Sequence, residues 1–382
     1  MRRWSVLLAG TFVLAAQAGA LSGLAVLAPE FRDQYHLSLT QIGLLLGLSS
    51  VGALLTLLAW GLAADRIGER TTAAIGMLGA AGALAAAAYA PGFSSLVSLL
   101  FLMAAFGASA NTATGRAVTS WFARSERGFA LGVRQSAVPI GGFAAALVLP
   151  PVVDAWGLRV SLLVMAGAML AAALVAALLM VEGPIQAVED ESDLLRHPLR
   201  DRRIWRIASG SSLLIVAQIA ITGFVVLFLE SQRGFTHGEA GAVLAGINVF
   251  GAAGRLGGGR LSDRLGSRIG LIVRIAVCTT VAVASTAVLV GGPNWLLCVA
   301  LVVGGGLSMS WNGLAVAATV ETVGPARAGA ALGVQQTALQ AAVVLAPLAF
   351  APFVSATSWG AGFAVAAVFP LAGAYVMQRV RR

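Results

Sequence analysis

The chain has 382 residues, 58% of them hydrophobic and only 11% charged, and its mean hydropathy of +0.88 excludes a water-soluble globular domain. The formal charge of +9 comes from 25 basic residues, all arginine, against 16 acidic ones. Spread over short loops between apolar stretches, that charge reports membrane orientation and argues against nucleic-acid binding.

Twelve apolar stretches long enough to cross a bilayer follow one another, at about 4–28, 42–63, 73–90, 93–118, 128–152, 158–181, 204–229, 239–259, 270–291, 294–320, 329–352 and 358–378. The first begins like a cleavable signal, with Arg2 and Arg3 before an apolar run and small residues at Ala16 and Ala18. It continues to Ala28, too long for a signal core, and more membrane follows. The segment "VEGPIQAVEDESDLLRHPLRDRR", 181 to 203, divides the chain near its middle and reads as a charged linker, with a surface helix expected over 193–203. The expected architecture is therefore an all-α integral membrane protein: an N-terminal six-helix half (1–181), a cytoplasmic linker (182–203) and a C-terminal six-helix half (204–382). With both termini cytoplasmic, Arg32, Arg159 and Arg233 fall on the far side and most other arginines on the near side, as the positive-inside rule requires of a multi-pass protein of a bacterial inner membrane. The absence of lysine is read as base composition of the gene, not function. Cys278 and Cys298 lie in apolar stretches without metal-ligand spacing, and neither a metal site nor a cofactor is expected.

A shift of 201 residues superposes Gln17 on Gln218, Asn111 on Asn312, Gly132 on Gly333, Gln135 on Gln336 and Pro151 on Pro352. One offset shared by spans 1, 4 and 5 with spans 7, 10 and 11 indicates two parallel copies of one six-helix unit, an architecture suited to alternating access around a central site. At an offset of 198, "GLAADRIGER" (61–70) matches "GRLSDRLGSR" (259–268).

No Asp or Glu lies in the interior of a span, whereas Arg116, Arg134 and Arg255 are read as charges within spans. An arginine at the centre of a helix costs at least about 2.5–3.5 kcal/mol on insertion scales, so such residues face a bundle interior, a wet cavity or a partner. Arg116 lies near the cytoplasmic end of span 4 and can snorkel. Arg134 lies about 9 Å into span 5 at helical rise, and Arg255 is comparably deep in span 8. If they face a cavity, their guanidinium groups attract an anion and hold an oxyanion bidentately. The offset puts Gln335 where the first copy has Arg134, so the repeated scaffold carries an asymmetric pair. Gln17, Gln218, Asn111, Asn312, Trp311, Gln335 and Gln336 complete the candidate substrate contacts, the competing reading being hydrogen bonds between helices. His36, His197 and His237 fall outside the spans, so no proton carrier is assigned.

Each matched loop has a glycine, three residues, Asp-Arg-x-Gly and further basic residues: Gly61, Asp65, Arg66, Gly68 and Arg70, then Gly259, Asp263, Arg264, Gly266 and Arg268. This resembles the loop between spans 2 and 3, and its counterpart between 8 and 9, of the major facilitator superfamily, which implies a twelve-helix transporter fold and a gating or structural role for these residues and Arg116. The first glycine should permit close helix approach, the aspartate cap a neighbouring helix and the second glycine support a tight turn. Glu69 and Ser267 depart from positions usually basic in the family. The passage from Gly115 to Val153, with Arg116, Trp121, Phe122, Glu126, Arg127 and Gly128, is similar to that of facilitators moving organic acids, organophosphates, nitrate and cyanate. Proton-coupled drug exporters of the superfamily are the second reading, but Met103 stands where they usually carry an arginine, and "VPIGG" only partly echoes their span 5 pattern, with Val138 for its first glycine. The expected function is thus secondary transport of a small anionic solute, with a coupling ion or a second, exchanged anion, by a monomer in the lipid bilayer. No His/Asp/Ser arrangement and no paired carboxylates at membrane depth point to an enzyme.

Overall fold

The computed structural model describes residues 2–122, 124–183, 201–323 and 328–380; the side chains of residues 119, 124, 125, 127–129, 263 and 328–330 lie outside that description, as does most of the expected linker with its surface helix. Among the described residues every regular element is an α-helix: α1 (Arg2–Val26), α2 (Ala28–Gln34), α3 (Leu39–Ala87), α4 (Phe93–Trp121), α5 (Arg124–Gln135), α6 (Ala137–Leu179), α7 (Arg202–Thr222), α8 (Val225–Arg233), α9 (His237–Leu265), α10 (Arg268–Leu289), α11 (Asn294–Ser310), α12 (Asn312–Val323), α13 (Ala328–Ala356) and α14 (Trp359–Gln378). In hydrocarbon a helix satisfies its own backbone, which is why an apolar sequence of this kind takes no other form.

Ten helical stretches among these residues are long and apolar enough to cross a membrane, against twelve expected. The difference has a local cause. α3, 49 residues long, contains Gly68 at φ 80°, ψ 162°, and α6, 43 residues long, contains Gly157 at φ 75°, ψ 179°. Each is a pair of helices joined through one glycine in the left-handed region, which a side chain with a Cβ disfavours. The turn is so short that the polar residues around it, Asp65, Arg66, Glu69 and Arg70 at the first and Asp154 and Arg159 at the second, stay helical on either side. Elsewhere the stops and starts are written in polar caps. Ser38 and Gln41 form a reciprocal capping box at the start of α3 (3.2 and 2.9 Å). Asp201 caps α7 through the Arg203 amide, and Ser358 caps α14 through the Ala361 amide.

The helices form two compact units, Met1–Gln186 with Leu229–Ala245, and Ala187–Phe228 with Gly246–Arg382. In the first, small residues let helix backbones touch: a Cβ on Gly52 would stand 2.2 Å from the Phe101 carbonyl oxygen of α4, and one on Gly141 of α6 would stand 2.2 Å from the Ala15 carbonyl oxygen of α1. Lipid gives helices little solvophobic reason to associate, so this closeness carries much of the packing. In the second unit an aromatic cluster of Phe224, Phe228, Phe350, Trp359 and Phe363 stacks at centroid separations of 5.1–6.3 Å.

The close contact makes a differential prediction. Gly141→Ala forces backbone apart and should destabilise the protein by about 1–3 kcal/mol, whereas Gly132→Ala, whose Cβ would meet open space, should be neutral or stabilising by up to about 1 kcal/mol. Thermal unfolding of the two variants in detergent checks the difference in sign.

Candidate substrate and gating sites

α5 ends at Gln135 and α6 begins at Ala137, and Arg134 occupies the last turn before this break. Its side chain is buried, 5% exposed. Nε donates to Thr114 Oγ1 (2.8 Å), and Nη2 donates to the Asn111 carbonyl oxygen (2.6 Å) and to Asn111 Oδ1. Asn111 and Thr114 are one helical turn apart on α4, the spacing that puts two side chains on one face. Both partners are neutral, and no carboxylate pairs with Arg134 among the described residues. The rest of its surroundings is apolar: a narrow crevice lined by Leu7, Gly10, Val118 and Phe122.

The second copy treats the matching position differently. Gln335 is 2% exposed; its Oε1 accepts from Thr319 Oγ1 (2.9 Å) and its Nε2 donates to Ser211 Oγ (3.1 Å). The 201-residue shift puts Ser211 on Gly10 and Thr319 on Val118. Where the first unit has an apolar wall around a charge, the second has two hydroxyls around an amide.

The other repeat pairs also diverge. Asn312 Nδ2 donates to Gln218 Oε1 (3.3 Å). In the first copy Asn111 Oδ1 is occupied by Arg134, and Gln17, its amide pressed over Gly107, has Oε1 buried with no hydrogen-bond partner among the described residues. Trp311 packs, 1% exposed, against Leu271, Leu314 and Leu339, and its Nε1 also lacks a partner there. Gln336 is half-buried. Arg255 on α9 donates from Nε to the Met309 carbonyl oxygen (2.9 Å). Two further arginines fall within the drawn spans near helix starts: Arg206 donates to the Arg379 carbonyl oxygen, and Arg274 is exposed.

At the two matched loops, Gly68 (φ 80°) and Gly266 (φ 63°) take the left-handed conformation expected of tight turns. Gly61 and Gly259 have no described atom within 4 Å of a Cβ position, so the close helix approach expected of them is not made in this conformation. Asp65 accepts from the Arg116 guanidinium rather than capping a helix; the Asp263 side chain lies outside the described residues. Arg66, Arg70 and Arg264 are exposed or partly so, and Arg268 Nε donates to Glu321 Oε1 (3.0 Å) while Nη1 reaches Ser262 Oγ. The two departures from the basic pattern have structural roles. Ser267 caps α10 through the Gly270 amide (3.1 Å). Glu69 is 3% exposed, accepts from Ser120 Oγ and the Gly183 amide, both at 3.0 Å, and lies 3.4 Å from Arg116 Nε. Sequence reasoning missed Glu69, although an acidic residue where a basic one is usual was the available signal.

The Major Facilitator Superfamily model matches residues 7–347. The chain belongs to this superfamily. It is 32% identical over 375 residues to an uncharacterized MFS-type transporter of Mycobacterium tuberculosis, covering 97% of this chain and 83% of its relative. A hexuronate transporter of Bacillus subtilis is 29% identical over 140 residues, 37% of this chain and 33% of that protein. Among solved structures, a bacterial homolog of the human lysosomal transporter Spinster, inward-facing and occupied, superposes with a TM-score of 0.78 at 16% identity, over 99% of this chain and 96% of that one. The nucleoside transporter NupG superposes with a TM-score of 0.77 at 15% identity, over 99% and 100%. The protein is thus a multi-pass membrane transporter of this superfamily, a family that binds small molecules within the membrane and whose members are not enzymes.

Glu69→Ala leaves Ser120, the Gly183 amide and Arg116 without this acceptor and should lower stability by about 1–3 kcal/mol, whereas Glu69→Gln keeps an acceptor oxygen and should lose less. Restoring the family's usual charge with Glu69→Arg should be the worst of the three, because it sets two guanidinium groups side by side. Detergent unfolding midpoints rank them.

Proposed function

We propose that the protein is a secondary transporter of a small organic anion, a monocarboxylate the first candidate, working by alternating access as a monomer in a bacterial inner membrane with both termini cytoplasmic. Counting α3 and α6 as two spans each gives twelve, which divide into halves at 1–181 and 204–382 about the linker 182–203. The observation that carries the reading is Arg134: a buried guanidinium whose partners, Thr114 and Asn111, are both neutral. An uncancelled positive charge in a low-dielectric setting attracts an anion far more strongly than it would in water. Arg255 supplies a second charge of the same sign, and Gln17 Oε1, buried and unpaired, gives an acceptor for a hydroxyl on the solute. A sugar acid combines these features, and the similarity to a hexuronate transporter over about a third of each chain supports that class. Gln218, Asn312, Trp311, Gln335 and Gln336 belong to the second copy's share of the contacts. The loops containing Asp65 and Asp263 act as gating elements, with Arg116 bound to the first.

Purified protein should be stabilised against heat by sugar acids and other small carboxylates and not by lipophilic cations, which drug export would favour. Arg134→Gln should weaken the anion effect by about tenfold or more, the loss of a charge-assisted hydrogen bond. Equal stabilisation of parent and variant by anions removes Arg134 from the site.

A further inference from the structure

At the opposite end of the first unit from Arg2, four residues set aside by the sequence reading converge. His237 opens α9; its Nε2 lies 2.6 Å from Glu30 Oε1 of α2 and 3.4 Å from Glu230 Oε2 of α8, and its Nδ1 lies 2.9 Å from Asp154 Oδ1 of α6. Glu230 and His237 belong to the segment 229–245, which comes from the second half of the sequence and is part of the first unit. The side chains of Glu30 and Glu230 are 19% and 12% exposed. Glu30 Oε2 and Glu230 Oε1 are buried without a hydrogen-bond partner among the described residues.

The valences decide what this cluster holds. A neutral imidazole has one N–H donor and one acceptor, yet both ring nitrogens here face carboxylate oxygens. With every carboxyl ionised, the ring must carry two protons; with a neutral ring, one carboxyl must keep its proton and donate it to nitrogen. Either way the assembled cluster contains one more proton than a free neutral histidine and free carboxylates. We propose that Glu30, Asp154, Glu230 and His237 form a proton-binding site that fastens residues 229–245 to the other helices of the first unit, so that acid holds this segment docked and loss of the proton releases it.

The surrounding charges favour uptake of the proton. Asp33, on α2, adds negative potential at Glu30 and Glu230. Of the nearby cations, Arg159 of α6 is stacked over the Tyr89 ring at 3.9 Å, and Arg32 and Arg233 stand on α2 and α8. Burial pushes the Glu30 carboxyl above its usual range against the opposing pull of His237. A group whose value is raised in the assembled state stabilises that state at low pH and loses its contribution as pH rises through the raised value. The sign therefore agrees with docking in acid. The inference extends the transport reading to a regulation of the carrier but needs no solute to test it.

Hydrogen–deuterium exchange of the full-length protein without added solute reads the latch directly. After correction for the intrinsic pH dependence of exchange, amides of 229–245 should exchange more slowly near pH 5.5 than near pH 8.5, by about tenfold or more, since one linked proton changes an equilibrium up to about tenfold per pH unit. Peptides from 160–179 serve as reference. In the triple variant His237→Gln, Glu30→Gln, Glu230→Gln, which replaces the ring and both buried carboxyls by amides, the pH dependence should vanish whether the segment is docked or released. Glu230→Gln, a milder change, should shift the midpoint toward lower pH by removing one negative charge. Unchanged protection across the range in the parent, or full pH dependence surviving in the triple variant, overturns the proposal. Arg134→Gln should keep the parent's pH response, so loss of anion binding and loss of the latch are told apart.

Discussion

A positive charge surrounded by hydrocarbon has to find acceptors without leaving the membrane, and Arg134 meets that demand with two residues of one helix face. Asn111 gives both its carbonyl and its amide oxygen, and Thr114 gives a hydroxyl. The arrangement ties α5 to α4 and satisfies hydrogen bonding without cancelling charge. A carboxylate in the same place would have offered both, and would have left nothing for an anion to feel. In the proposed reading, this separation of hydrogen-bond satisfaction from charge neutralisation is what lets a structural contact also serve as an attractor.

The choice of arginine propagates. Asn111 turns Oδ1 to the guanidinium, and its amide makes no bond to Gln17 of the kind that Asn312 Nδ2 makes to Gln218 in the second copy. Gln17 is left with a buried, unpaired oxygen, a cost the second copy avoids. Gly10 and Val118, where the second copy has Ser211 and Thr319, complete the contrast. A duplicated framework has thus acquired one charged and one neutral version of the same corner, and among the described residues the Gln17 oxygen is left unpaired in the charged one.

Much of the architecture was legible because lipid imposes long apolar runs and leaves periodic polar caps at their ends. At the two places where the count of spans differs, Asp65, Arg66, Glu69 and Arg70 and then Asp154 and Arg159 already mark a break in the sequence; the helices run up to it on both sides because one glycine, Gly68 or Gly157, makes the whole turn. Single residues were harder to read. Ser267 and Glu69 showed only as deviations from a basic pattern, since a cap and a buried acceptor are defined by what lies across the fold, not along the chain. Gly61 and Gly259 illustrate the reverse, a local residue preference whose expected contact is absent in this conformation. His237 was passed over because position relative to the spans said nothing about three acids brought to it by separate helices.

The two clusters of charge in the first unit obey opposite rules. At Arg134 one cation faces neutral dipoles, and its field is left to act on something mobile. At His237 one ring faces three acids, more negative charge than it can balance, so the shortage is of protons and the natural ligand is the smallest cation available. In the proposed latch an arginine could not stand in for His237, because it would keep its charge throughout and the fastening would be permanent. A histidine could not replace Arg134 either, because in an apolar crevice it would shed its charge and with it the attraction for an anion. Residue type, more than position, therefore separates a charge that stays from one that comes and goes.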